Sequence, residues 1–254
     1  MYKNKKLRVG KNIIILALLT CLISILLAAT VSCNISLVRG SGNVISEDRS
    51  VSGFSKLFIS GSGEIFIEQV DEESMTIKAE DNIIPLITTE VSGGTLNISH
   101  GPGTIVTNTK SIEIHLRVKD LDSISTSGSA NINCSGLSTS NLIIKTTGSG
   151  NVVMSNLEND SIDISSSGSG NFTLAGNTDS LKISTNGSGG CDAGNLKSKD
   201  CIIDINGSGN ITVNVSDTLD ASIDGSGNIS YIGNPTVEST KGFGASGVIK
   251  NISE

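Results

Sequence analysis

Through the second half of the chain, apolar and polar residues alternate with a period of two, and short glycine-serine turns interrupt the alternation at steady intervals. Aligned on the turn, the copies read GSGN at Gly40, GSGE at Gly61, GSAN at Gly128 and GSGN at Gly148 and Gly168. They continue as GSGG at Gly187 and GSGN at Gly207 and Gly225, and a frayed GASG begins at Gly244. From Gly128 to Gly225 the spacings are 20, 20, 19, 20 and 18 residues. The residues that stay apolar fall into columns. Just past the turn stand Val44, Ile65, Ile132, Val152, Phe172, Cys191, Ile211 and Ile229, and two residues on stand Ser46, Ile67, Cys134, Met154, Leu174, Ala193, Val213 and Tyr231. Four residues before the turn stand Leu57, Ile124, Ile144, Ile164, Ile183, Ile203 and Ala221. Polar residues such as Lys145, Ser165 and Asp204 fill the positions between, which is the inside-outside alternation of strands with one buried face.

Each unit therefore reads as strand, turn, strand and a polar loop such as SNLEND or AGNTDS. One unit of this size buries too few side chains to offset the entropy of ordering about twenty residues, so neighbours must stack. The fold class is all-β, a parallel β-helix or solenoid whose coils of about 20 residues pair equivalent strands in register. The structural turns are then Gly40, Gly42, Gly61, Gly63, Gly128, Gly148, Gly150, Gly168, Gly170, Gly187, Gly189, Gly207, Gly209, Gly225 and Gly227. Glycine permits the positive φ of a repeated corner, and serine and asparagine can align in ladders between coils. The phase blurs between Gly61 and Gly128. There, residues 81–110 read as an irregular insertion or hairpin, with TTEVSGGTLNIS turning at Gly93 and Gly94, and SIEIHLRV alternates as a strand.

The first 33 residues differ from the rest. Five basic residues precede the apolar run Ile13 to Thr30, and small residues and Cys33 follow. This is a secretory leader, and its end ATVSC resembles a bacterial lipobox in which Cys33 is the candidate lipidation site, with Thr30 where such boxes usually carry leucine. An uncleaved anchor helix is the alternative. Both place residues 34–254 outside the cytoplasm, attached to a membrane through an N-terminal lipid or anchor. Without the leader's basic residues, 13 positive side chains face 25 acids, a net charge of −12. Such a surface repels phosphate backbones, so nucleic acid is not an expected partner.

Candidate chemistry is sparse. His100 and His115 are the only histidines, and neither is placed by a catalytic motif, so no catalytic residue, metal site or cofactor is expected. Cys134, Cys191 and Cys201 fall in the inward columns, which predicts buried free thiols, with a Cys191 to Cys201 disulfide as the rival that export permits. Calcium-binding nonapeptide repeats need carboxylates at half this period, and a phosphate-binding loop needs a helix after its glycines.

RGSGNVISEDRSVSGFSKLFISGSGEIFI, then DEESMTIKAEDNIIPLITTEV, and the tandem GSGN units ending in NVSDTLDASIDGSGNISYIGNP together resemble a known bacterial domain family. It is labelled putative auto-transporter adhesin, head GIN domain. The resemblance covers nearly everything after Cys33 and implies a right-handed β-helix-like fold in exported lipoproteins or envelope proteins. It carries over no catalytic residue. The expected function is a non-enzymatic surface module, an adhesin or scaffold presenting polar ladders to a surface glycan or an envelope protein. Two alternatives stand beside it. One is a carbohydrate-active β-helix enzyme using some of Asp160, Asp163, Asp179, Asp200 and Asp204, which requires acids converging in a groove. The other is an envelope signalling partner.

Overall fold

A computed structural model describes residues 36–101 and 104–253; Cys33 and the rest of the leader lie outside the described residues. Among the described residues no α-helix forms, and the chain winds into a β-solenoid of about six turns. Its first eight strands are β1 (Ser36–Arg39), β2 (Val44–Arg49), β3 (Lys56–Gln69), β4 (Ser74–Glu80), β5 (Ile87–Ser92), β6 (Thr95–His100), β7 (Thr104–Thr107) and β8 (Glu113–Val118). The remainder are β9 (Ser123–Gly148), β10 (Val152–Gly168), β11 (Phe172–Gly187), β12 (Cys191–Gly207), β13 (Asn210–Gly225), β14 (Asn228–Ile232), β15 (Thr236–Lys241) and β16 (Ile249–Asn251).

Strands β3 and β9 through β13 stack in order, each parallel to the next. The register joins Ile144 to Ile164, Ile164 to Ile183, Ile183 to Ile203 and Ile203 to Ala221, all fully buried. This is the spine that the column of isoleucines predicts. The units are more continuous than the sequence pattern implies. SNLEND and AGNTDS are strand rather than loop, because Leu157 turns into the core and Gly176 pairs with it. A second corner, eight residues past the first glycine of the turn, carries the positive φ values of Gly136, Asn156, Gly176 and Gly233.

The two ends are built differently. Residues 81–110 hold the β5–β6 hairpin, turning at Gly93 and Gly94, and β6 joins the stack. After β3 the chain reverses into β4, makes the β5–β6 hairpin, and lays β6 and β8 parallel against β3 on the side opposite β9. Antiparallel β4 and β2 then close this end. The GSGN copy at Gly40 is consequently not a coil of the stack. Val44, placed by the pattern in an inward column, is 47% exposed because β2 is the antiparallel outermost strand.

That first copy is used as a clasp. Glu80, 1% exposed, receives the backbone N–H of Gly42 at 2.6 Å and of Thr109 at 2.9 Å, together with the Thr109 hydroxyl. Asp81 beside it accepts from the Ser41 hydroxyl at 2.5 Å and from Asn43 Nδ2 at 2.9 Å. A Cβ at Gly40 would occupy the space of the Glu80 carboxylate. The Thr109 hydroxyl, opposed by desolvation and helped by backbone donors, holds the Glu80 carboxyl below the ordinary glutamate range. Its stabilising contribution is complete above the unfolded-state pKa, about 4.3, and is lost as the pH falls through the lower folded-state value. A Glu80→Gln variant is therefore expected to melt below wild type at pH 7, with the gap between the two thermal midpoints closing under increasingly acidic conditions. A gap that does not change with pH would remove the carboxylate from this account.

At the other end, β15 and β16 add to β13 and β14. The frayed last turn pairs one residue out of the phase read from the sequence. Ser246 N–H donates to the Gly225 carbonyl at 2.9 Å, so Ala245 stands where the first glycine of the turn would be. In register, Ser239 follows Ala221 and Lys241 follows Ile223 in the core columns. The Lys241 ammonium donates to the Gly247 carbonyl at 2.7 Å. A charge at the end of an apolar column is a terminal cap that discourages further strand addition.

Candidate functional site

Both glycines of the stacked turns sit too close to the coil below for a Cβ, as at Gly168 against the Gly148 carbonyl oxygen, and the first is required for its backbone conformation as well. The first, as at Gly168 with φ of 145°, has the positive φ that the corner reading expects; so do Gly61, Gly128, Gly148, Gly187, Gly207 and Gly225. The second, as at Gly170, has no positive φ, except for Gly63 in the first coil and Gly42 in the clasp. A Cβ at Gly170 would meet the carbonyl oxygen of Gly150 one coil below, and Gly150, Gly189, Gly209 and Gly227 repeat this close approach. Serine N–H groups tie the turns together: Ser169 donates to the Gly148 carbonyl and Ser208 to that of Gly187, each at 2.9 Å.

The fourth turn residue forms the expected ladder, but its hydrogen bonds are consumed within the stack. Asn131 Oδ1 accepts the backbone N–H of Asn151 at 2.9 Å, Asn151 Oδ1 that of Asn171 at 3.2 Å, and Asn210 Oδ1 that of Asn228 at 3.2 Å. The carboxamide N–H groups point back along the same row, to 3.3 Å between Asn171 and Asn151 and 2.9 Å between Asn228 and Asn210. The row is exposed, and its amides hold coils together more than they face outward.

A polar groove lies elsewhere, where the second half of each coil crosses β10, β11 and β12. Three rows run there along the stack. Glu158, Asn177 and Lys197 are in register, and so are Asn159, Thr178 and Ser198. Asp160, Asp179 and Lys199 follow one residue on. Together they line a groove of about 570 Å³. The middle row is its floor, with each of the three residues at least nine-tenths buried. Asn159 Nδ2 donates to the Thr139 carbonyl at 2.8 Å, Thr178 Oγ1 to the Ser180 carbonyl at 3.1 Å and Ser198 Oγ to the Asn214 carbonyl at 3.0 Å. Asn159 Oδ1 has no partner. On the walls, Lys199 pairs with Asp179 at 2.7 Å and Asn177 Nδ2 donates to Glu158 at 2.7 Å. Among the described residues, neither the Asp160 carboxylate nor the Lys197 ammonium has a partner.

Of the five aspartates that could serve sugar cleavage, the groove collects Asp160 and Asp179. Asp163 and Asp204 sit on outward strand positions, and Asp200 accepts the Thr218 hydroxyl at 2.5 Å. The lysines and the floor row escape a reading of the sequence because polar residues at these positions look like loop. The signal that could have found them is their own 19- and 20-residue spacing beside buried Leu157 and Leu196.

His115 stands on the outward face of β8 with its ring stacked on Phe66, centroids 4.9 Å apart, and His100 is half-buried, where desolvation holds it below the ordinary imidazole range. Among the described residues no three His, Cys, Asp or Glu side chains converge in a metal-binding arrangement. Cys134, Cys191 and Cys201 are free and buried, so no bridge joins Cys191 to Cys201. Burial pushes the Cys134 and Cys201 thiols up to about 12, and it raises Cys191 further with the help of neighbouring Cys201 and Asp192. Neutral, enclosed thiols are poor nucleophiles. An aromatic disulfide reagent at pH 8 is expected to leave these three unmodified in the folded protein, and the thiol count to rise by three on denaturation. A rise of one would indicate a disulfide.

The same architecture occurs in solved structures. A protein from Bacteroides fragilis NCTC 9343 described as a putative adhesin is 30% identical with a TM-score of 0.78, over 85% of this chain and 100% of that one. A protein from Parabacteroides distasonis ATCC 8503 described as a putative lipid binding protein is 24% identical with a TM-score of 0.73, over 85% and 100%. A putative adhesin from Parabacteroides merdae ATCC 43184 is 22% identical with a TM-score of 0.66, over 85% and 99%. The last two likenesses show the fold alone. No curated protein matches the chain. Residues 53–235, the clasp-side coils through the last full turn, match the pattern of one domain family. On that match the chain belongs to the family described as putative auto-transporter adhesin, head GIN domain.

Proposed function

We propose that the protein is a non-enzymatic adhesive module at the outer face of a bacterial envelope, held there through Cys33 or an uncleaved leader. The observation that carries this reading is the parallel stack: it holds a polar groove across β10, β11 and β12 while most of the carboxylates around it are engaged by lysine, amide or hydroxyl partners. Sugar cleavage by paired acids needs one carboxyl to donate a proton while a second acts on the ring. In the groove Asp179 is neutralised by Lys199, and Glu158 is tied to Asn177, which suits holding a ligand more than cleaving it. The 30% identical Bacteroides protein described as a putative adhesin supports the same reading.

The test is retention. Beads coated with the protein are expected to bind bacterial or host-cell surfaces saturably, and soluble protein to compete with them. Release of reducing sugar or unsaturated product from an envelope polysaccharide by the pure protein, or no retention on any surface, would overturn the proposal.

A further inference from the structure

We infer that the ribbon formed by β1 and β7 rests on the lipid surface to which the leader attaches, with Leu37 and Ile105 entering the interfacial layer and Arg39 at the headgroups. This rests on the membrane-attached part of the proposed function and adds where the folded chain meets lipid. The first argument is the ribbon itself. Among the described residues β1 and β7 form a two-stranded sheet of their own. The Gly40 N–H donates to the Thr107 carbonyl at 3.0 Å, which sets the two strands parallel, with Leu37 beside Ile105 and Val38 beside Val106. Val38 and Val106 pack against the core, so alternation turns Leu37 and Ile105 to the opposite face. There Leu37 is 72% and Ile105 53% exposed. Arg39 and Thr107, also exposed, complete that face, which is apolar and basic and carries no acid.

The second argument is the tether, which decides what covers this face. Leu37 lies four residues after Cys33, the candidate lipidation site, and seven after Thr30, where the apolar run of the leader ends. Even fully extended, four residues span at most about 14 Å and seven about 25 Å. A lipid or anchor at either point keeps the ribbon within reach of the bilayer, at an effective concentration that lets two side chains partition where an untethered domain would not. Exposure alone does not choose this place. Phe243 is fully exposed too, but it follows β15 at the far end of a stack of about six turns.

The third argument is charge. With 13 positive side chains against 25 acids, residues 34–254 are repelled as a whole by an anionic leaflet. Contact must therefore be made by a patch of other character, and the outward face of the ribbon is such a patch. An apolar pair beside a basic side chain suits the interfacial layer, where aliphatic groups sink below the headgroups and a guanidinium reaches back to phosphate. Among the described residues Arg39 makes no ion pair that would compete.

The experiment exploits the absence of tryptophan from the chain. Leu37→Trp, Ile105→Trp and, as a far-end control, Phe243→Trp are each made in the full chain. Each is reconstituted into vesicles of phosphatidylethanolamine and phosphatidylglycerol, with and without brominated acyl chains, and flotation with the vesicles checks attachment. The first two variants are expected to emit at shorter wavelength than Phe243→Trp and to lose about half of their intensity to brominated lipid, against about a tenth or less for the control. Arg39→Glu added to Leu37→Trp is expected to reduce that quenching about twofold. Equal emission and quenching in all three variants overturns the assignment, and quenching indifferent to Arg39→Glu overturns the part given to the arginine. A short-wavelength emission that is lost on dilution below one chain per vesicle also overturns it, because a second copy then covers the ribbon. The two claims separate in the flotation. Chains that float while Leu37→Trp and Ile105→Trp report water keep their attachment and lose the docking, whereas chains that do not float remove the attachment reading and the docking with it.

Discussion

Replacing Gly170 by alanine is expected to destabilise the protein by about 3 kcal/mol, far more than a methyl group costs at an exposed turn. The reason lies between coils. The added Cβ would occupy the position of the Gly150 carbonyl oxygen, and that glycine is itself held against Ala130 beneath it. Relief requires the two coils to separate at the corner, which strains bonds such as Ser188 N–H to the Gly168 carbonyl at 3.0 Å. Strained or lost backbone hydrogen bonds add roughly 1 kcal/mol each to the overpacking cost. A control isolates this mechanism from the general intolerance of turns. Gly136 has a positive φ, 89°, which Gly170 lacks, but a Cβ there meets nothing within 4 Å, and the equivalent corner of the next coil is already occupied by Asn156 at φ 53°. Gly136→Asn should cost less than about 1 kcal/mol, because asparagine tolerates the left-handed region. Urea unfolding midpoints of the two variants decide the matter. Equal destabilisation would mean that the second turn glycine is not there for close packing.

The stack is legible in the sequence because its physics repeats. A parallel, in-register coil places Ile144, Ile164, Ile183 and Ile203 in one column, so a period in the sequence becomes a line in space. The parts that are not legible are those where the same letters serve another geometry. GSGN at Gly40 matches the motif, yet the antiparallel pairing of β2 with β4 turns Val44 outward and makes the turn a clasp for Glu80. No local pattern distinguishes the two uses, because the difference is the direction of the partner strand. The groove stays hidden for a related reason. Asn159, Thr178 and Ser198 are inward residues that happen to be polar, and alternation counts only apolar ones. The column of Thr126, Thr146, Ser166 and Thr185, two residues before the turn, escapes in the same way, although it is buried and continues into Ile205 and Ile223. Thr146 Oγ1 donates there to Ser166 Oγ at 3.2 Å.

Truncating Ile183 to alanine tests the spine itself and should destabilise by about 2–5 kcal/mol. Ile183 is fully buried, with Ile164 below and Ile203 above in register. Strands on both sides are fixed by continuous ladders, so the surroundings cannot collapse into the cavity, and the upper half of that range is the expectation. Position along the axis should matter as much as chemistry. A stack whose repeats touch only their neighbours loses stability locally, and a weakened central coil uncouples the coils on either side. Hydrogen exchange in Ile183→Ala is therefore expected to speed up in β10, β11 and β12 together. The same column ends at Ser239 in β15, where the residue is exposed. Ser239→Ala should change the stability by no more than about 0.5 kcal/mol. If Ile183→Ala costs no more than Ser239→Ala, the isoleucine column does not carry the core, and the stacked-coil account of this chain's stability fails with it.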